Sequence, residues 1–445
     1  MHIRHKILMA GLVGLMSLTV SGYSQASDPL IDKLVEKGIL TVKEANTLRE
    51  ETDKGFQQAF QVKTGMPDWV KGWRLNGDFR GRYEGFFRND PSFVDRNRFR
   101  YRLRAGLTFD LLEDIEVGIR VASGEPAGGP IGFTGGGDPV SGNTTLGNNG
   151  SKKFMYLDMV YAKWVGLKTA DTTGTITFGK MENPFEFPST MVFDKDYTPE
   201  GLAFDLSYNL NEKHNFKFVG AGFVLDEAGG TSRDAYMLGV QARWNAAWKE
   251  NLTTTLGVAS LNVLNPQTLT TAAVPNQGAG NTRTAGGSLV NNYQPIYTDA
   301  DITWKKESFP FYTGAFPITL SGDYMYNPGA QQDNQGYSIG LTLGKSGKKG
   351  LWDFNYRWTE LQADAWYEEF PESDFGAVYA AAPAGGAAGY QYGANIRGHW
   401  FKLGYSPTDS VTLSVAYFLT ELISENTPGS GSSVGRIQVD AVVKF

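Results

Sequence analysis

The sequence predicts an all-β fold, a transmembrane antiparallel β-barrel of about 16 strands with a short N-terminal helical segment. Three observations point there. From Trp73 to the end of the chain, apolar and polar residues alternate with a period of two. Connections between these runs are by turns short and long, as at the two rims of a barrel. No stretch after residue 25 reaches the roughly 18 to 20 continuous apolar residues that a spanning helix needs. The 445 residues are 41% hydrophobic with a mean hydropathy of −0.31 and contain 54 glycines. Cysteine is absent, which removes disulfides, zinc thiolates, iron–sulfur clusters and thioether-bound haem. No motif marks a cofactor or a metal site.

Export is the first expectation. His2 to Lys6 is basic, Ile7 to Val20 is apolar, and Ser24 and Ala26 put small residues where a signal peptidase reads. Residues 1–26 are therefore expected to be a signal peptide cleaved after Ala26. A retained anchor is the alternative, and the apolar run is short for one. Loss of the two cations Arg4 and Lys6 takes the net charge from −6 to −8, and an acidic chain has no bias toward nucleic acid.

Residues 27–68 read as a helical periplasmic segment. Asp28 and Pro29 form a helix start, followed by Leu30, Ile31, Leu34 and Val35 at helical spacing, with Gly38 as the stop. Thr41 and Glu44 have capping-box spacing for a second helix, in which Val42, Ala45 and Leu48 share a face. Such a hairpin serves either as a plug, trimerisation or cell-wall element or as a solvated leader.

The barrel is expected over 69–445. Trp73, Leu75, Phe79 and Tyr83 alternate with Arg74, Asn76, Asp78, Arg80, Arg82 and Glu84. In the next strand Phe99, Tyr101, Leu103, Leu107 and Phe109 lie on one face, with Arg98, Arg100, Arg102 and Arg104 on the other. Ile115, Val117, Ile119 and Val121 then oppose Glu116 and Arg120. Strand starts are expected near Gly72, Arg96, Asp114, Lys153, Thr173, Gly201, Lys213, Arg233, Glu250, Ile296, Pro317, Gln335, Gly350, Asn395, Ser410 and Val434. Tight turns are expected at Asn209–Glu212, Ala246–Lys249, Lys345–Lys349 and Ser406–Asp409, and long loops at Gly124–Lys152, Asn262–Pro295 and Gln362–Ala394. A soluble sandwich has the same alternation but no reason to alternate its connections. In the last strand Ile437, Val439, Ala441 and Val443 alternate with polar residues, and the chain stops on Phe445. That terminal aromatic resembles the membrane-insertion signal of barrel proteins.

With these residues in hand, the chain resembles a Gram-negative outer-membrane porin of the sixteen-stranded type, and with its helical leader it is similar to the group described as putative porins. Phe178, Gly179 and Lys180 before a long loop, and Ser373, Asp374 and Phe375 followed by Asn395 to His399, are the local motifs that carry the likeness. The resemblance implies an outer-membrane channel for small hydrophilic solutes and ions, contacts with outer-membrane lipids, insertion by the barrel-assembly machinery and a homotrimer.

A sixteen-stranded barrel is wide enough for an aqueous lumen. Arg80, Arg82, Arg98, Arg100, Arg102, Arg104 and Arg120 fall on the polar face of three consecutive strands and are expected to line the pore, attracting anions. The alternative is a structural network with Asp78, Glu84 and Glu116. By the resemblance, the segment from Lys180 to Glu200 is the constriction loop, carrying Glu182, Glu186, Asp194, Asp196 and Glu200 opposite the arginines. As an external loop it would merely hold solvated acids. Further inward candidates, among them Lys217, Arg243, Asp299, Asp323, Asp353, Arg357 and Lys402, mix both signs. Aromatics such as Trp73, Trp164, Trp248, Trp304, Tyr324 and Tyr405 suit interfacial girdles. An outer-membrane hydrolase would need a nucleophile and a base, and the chain beyond residue 26 offers only His214 and His399. A barrel that docks a partner without forming an open channel is the remaining alternative.

Overall fold

The computed structural model describes residues 28–37, 39–49, 65–88, 95–126, 136–227, 229–230, 232–276, 278–376, 393–424 and 433–445. The expected signal peptide and the helix stop at Gly38 lie outside them. The chain divides into two compact units, Met1–Lys71 and Gly72–Phe445.

In the first unit, helix α1 spans Asp28–Glu36 and residues 42–49 are helical. The second helix starts on the capping box read from the sequence. Thr41 N donates to Glu44 Oε2 at 2.8 Å, and Glu44 N donates to Thr41 Oγ1 at 3.2 Å, so two of the N–H groups that a helix start leaves unpaired are satisfied.

The second unit is a closed antiparallel barrel. Its strands are β1 (Val70–Arg88), β2 (Arg96–Leu111), β3 (Ile115–Gly124), β4 (Phe154–Lys168), β5 (Thr172–Lys180), β6 (Glu200–Asn211), β7 (His214–Asp226) and β8 (Ala235–Lys249). The circle continues through β9 (Leu252–Leu264), β10 (Ile296–Lys306), β11 (Phe316–Tyr326), β12 (Gln335–Gly344), β13 (Trp352–Leu361), β14 (Ile396–Tyr405), β15 (Val411–Leu422) and β16 (Val434–Lys444). A two-residue strand, Thr144–Thr145, adds to β2 from the loop after β3. β1 pairs with β16 from Asp78↔Lys444 to Arg88↔Val434, which shuts the ring and leaves no edge strand.

Each expected strand start lies within two residues of an observed one. The turns shift slightly. Two of those expected at Asn209–Glu212 and Ala246–Lys249 fall at 212–213 and 250–251, because the pairing of β7 with β6 and of β8 with β9 runs on through Asn211 and Lys249.

The alternation does what hydrocarbon requires. Phe79, Phe99, Leu202 and Val240 face outward and are 45 to 61% exposed, whereas Asp78, Arg82 and Arg102 on the other parity face inward and are buried. Outside, Trp73, Trp164, Trp248, Trp304, Tyr324 and Tyr405 are exposed. Among the described residues no helix is long and apolar enough to cross a membrane. The largest apolar cluster lies inside the second unit and joins Met181, Phe185, Val192 and Phe193 of the loop after β5 to Trp366 and Phe370 of the loop after β13. Side chains of these two loops, with wall residues such as Met237, Tyr297 and Met325, fill part of the interior.

Candidate functional site

The site is the barrel interior, built from lumen-facing strand residues and three loops that turn into it. Segment 181–199 leaves β5 and crosses the interior. Gln241 Nε2 on β8 donates to Glu186 O at 2.8 Å, and Arg357 Nη2 on β13 donates to Pro188 O at 2.9 Å. Ser189 Oγ donates to Asp323 on β11. On the other side, Arg102 Nη1 on β2 donates to Asp196 Oδ1 at 2.7 Å. Strands from opposite parts of the ring thus hold one loop, and Pro184, Pro188 and Pro199 limit its backbone freedom.

Segment 362–376, part of the long loop expected at Gln362–Ala394, packs against it. Trp366 Nε1 donates to Val192 O at 2.8 Å, Asp194 N donates to Phe370 O at 2.6 Å, and Ser373 N donates to Asp194 Oδ2 at 2.8 Å. The loop after β9 joins in through the fully buried pair of Arg283 and Glu368. The sequence signal for this inward docking was the aromatic run Trp366, Tyr367 and Phe370 in a stretch otherwise rich in Gly, Pro and Ala. A loop in water has little use for such residues.

The arginines lie inward and each but one meets a carboxylate. Arg82 bonds Asp440 at 2.7 Å and Asp374 at 2.8 Å. Arg102 bonds Asp78 at 2.8 Å and Asp196 at 2.7 Å, and Arg104 reaches the same two at 2.7 and 3.4 Å. Arg120 pairs with Asp158 and, at 3.3 Å, with Glu182. Arg98 pairs with Glu84, which Arg100 approaches at 3.9 Å. Arg80 donates to Asn143 Oδ1 at 2.6 Å and forms no ion pair with a described residue; its buried Nε has no partner. The structural network weighed against an open arginine wall is therefore present in the geometry, with Asp78 and Glu84 as expected. Glu116 instead bonds Arg74 at 2.9 Å.

The acids expected on the constriction loop, the last of which opens β6, divide. Asp196 and Glu182 touch the arginines, Glu186 bonds Lys217 at 2.7 Å, and Glu200 bonds Lys180 at 2.9 Å. Burial opposes the charge on Asp196, but Arg102, Arg80 and Arg104 outweigh it and hold the carboxyl below its usual range. Asp194 goes the other way. Burial, followed by repulsion from Glu372 and Asp196, pushes it well above the usual carboxylate range. Asp374 is penalised by burial yet held well below that range by Arg82, Arg436 and Arg80. Asp374, Glu368 and Arg436 are interior residues that sequence reasoning did not single out as pore-lining. Arg436 alternates with Ile437 on the polar parity of β16, which was the available signal.

Between loops and wall remains a polar cavity of about 740 Å³, lined by Arg80, Arg82, Arg102, Arg104, Lys195 and Lys402 among others. A second, of about 570 Å³, shares Arg102, Arg104 and Asp196 with it. Among the described residues no group of three or more His, Asp or Glu is arranged to hold a metal ion.

Closed circle, sixteen antiparallel strands, alternating rims and inward loops define a barrel of the porin type. A family model described as Putative porin matches residues 89–284, and over that segment the chain resembles the family in sequence. Among solved structures it is similar to OprB of Pseudomonas putida, with 10% identity over 88% of this chain and 97% of that one and a TM-score of 0.50. A triple mutant of the Rhodopseudomonas blastica porin matches at 10% identity over 84% of this chain and 100% of that one, with a TM-score of 0.40. No curated protein matches.

Proposed function

We propose that the protein is an outer-membrane porin of a Gram-negative bacterium, forming a water-filled channel for passive diffusion of small hydrophilic solutes and ions. The observation that carries this reading is the inward polarity of a closed sixteen-strand ring that keeps a charged cavity of about 740 Å³ beside its inward loops. Loop 181–199 acts as the constriction, with Asp196 and Glu182 set against the arginines of β2 and β3. Because most of these charges are neutralised in pairs, they act first as a fixed hydrogen-bonding wall and only second as a source of net field. Residues 1–26 direct export, 27–68 form a periplasmic segment, Phe445 guides recognition by the barrel-assembly machinery, and the barrel works among outer-membrane lipids as a homotrimer.

Planar-bilayer recording of the chain without residues 1–26 tests the reading. Discrete, voltage-independent open steps in KCl are expected. A barrel that docks a partner without an open channel gives none.

A further inference from the structure

Charge pairing inside the larger cavity is uneven. Arg82, Arg102, Arg104 and Arg120 each meet a carboxylate, but Lys195 on the loop and Lys402 on β14 make no hydrogen bond or ion pair with any described residue. Acids of the same interior do not neutralise them. Asp440 is held by both Arg82 Nε and Nη2, at 2.7 and 2.8 Å. Asp353 accepts from Asn355 Nδ2 at 2.7 Å and from Ser346 N at 3.0 Å. Glu372, beside Lys195, is buried in a way that disfavours its charge. Both ammonium groups border the same cavity of about 740 Å³, and a soluble anion held between two like charges relieves their repulsion.

Two residues from Lys402 on the same face of β14, Trp400 lines the cavity. Its indole N–H has no partner among the described residues. Phe418, its register partner on β15, stands beside it with ring centroids 6.3 Å apart. A flat aromatic surface next to unpaired cations suits a ligand that is itself flat and negatively charged.

We infer that Lys195, Lys402 and Trp400 form a binding subsite for carboxylates borne on a flat unsaturated ring, the carboxylate between the two ammonium groups and the ring against the indole. This rests on the porin reading and assigns selectivity to the two lysines instead of Arg82, Arg102, Arg104 and Arg120, which are paired.

The test uses the chain without residues 1–26 in planar bilayers with KCl as carrier, and benzoate, acetate and glucuronate as probes. Benzoate is expected to block the KCl current at a concentration about tenfold below that of acetate or glucuronate. The Lys195→Gln, Lys402→Gln double variant raises the half-blocking concentration of benzoate about tenfold, Lys195→Arg, Lys402→Arg keeps it, and Trp400→Ala brings benzoate to the level of acetate. Equal block by benzoate and acetate in the unaltered protein overturns the subsite. So does glucuronate matching benzoate, or a benzoate block that the double Gln variant leaves unchanged. Absence of any unitary steps in KCl overturns the porin reading instead, and the subsite with it.

Discussion

Glu84 is fully buried between guanidinium groups. Arg436 and Arg98 bond it directly, Gln438 Nε2 donates to it at 3.0 Å, and Arg100 stands 3.9 Å away. A buried carboxylate is tolerable only in such company, and removing one partner strands the other. Arg436→Ala leaves Glu84 short of one of its two directly bonded guanidinium groups, frees Asp374 Oδ1 and opens the carbonyls of Ser373, Asp374 and Gly376. The variant is expected to lose about 3 kcal/mol of stability, read from guanidinium unfolding in lipid vesicles. A midpoint equal to that of the unaltered barrel contradicts the assignment. At this scale the sequence showed which parity points inward, because alternation is local. It named Asp78 and Glu84 on adjacent strands as partners but could not show those across the seam, since Arg82 and Asp440, or Glu84 and Arg436, are neighbours only after the ring has shut.

Strands are the legible elements. Each needs one apolar side against hydrocarbon, so the pattern of β1, β2 and β16 is written residue by residue. Loops follow no such period. The inward course of 362–376 depends on Trp366, Tyr367 and Phe370 finding Val192 and Phe193, and a linear reading has no access to that meeting. What pins this loop is Asp374, between Arg82 and Arg436 at 2.8 Å each. Burial works against its charge, but the guanidinium groups of Arg82, Arg436 and Arg80 win and its carboxyl is held well below the ordinary value. A depressed carboxylate gives stability that is present above its unfolded pKa, near 4, and lost only as pH falls through the lower folded value. Docking through Asp374 is therefore expected to persist from pH 8 down to about 4, with no pH-dependent gating between 5 and 8 from this contact. Asp374→Asn weakens it throughout that range, and single-channel traces should show added flicker or a larger step. Quiet traces identical to those of the unaltered channel remove Asp374 from the role of anchor.

At the largest scale, the second unit is a ring of strands shut by the pairing of β1 with β16. Phe445 N donates to Gly77 O at 3.1 Å and Gly77 N donates to Phe445 O at 2.9 Å, so the final residue belongs to the seam. A Cβ on Gly77 would stand 2.4 Å from Arg104 O and 2.6 Å from the Phe445 ring, which leaves room only for glycine. Deleting Phe445 removes both hydrogen bonds and the ring, and is expected to slow assembly into lipid vesicles several-fold, followed by the heat-modifiable gel shift of folded barrels. An assembly rate unchanged by the deletion contradicts a role for the seam.

Joining β16 to β1 also has a consequence in time. Residues about 350 positions apart must meet before Glu84 reaches Arg436 and Asp440 reaches Arg82. Until the last hairpin arrives, the half-made sheet carries bare ions on the side that will become its inside, and a chain interrupted there has nowhere to hide them. A chain cut short of that last strand leaves Arg82 without Asp440 and Glu84 without Arg436, so the interior network is complete only once the seam has formed.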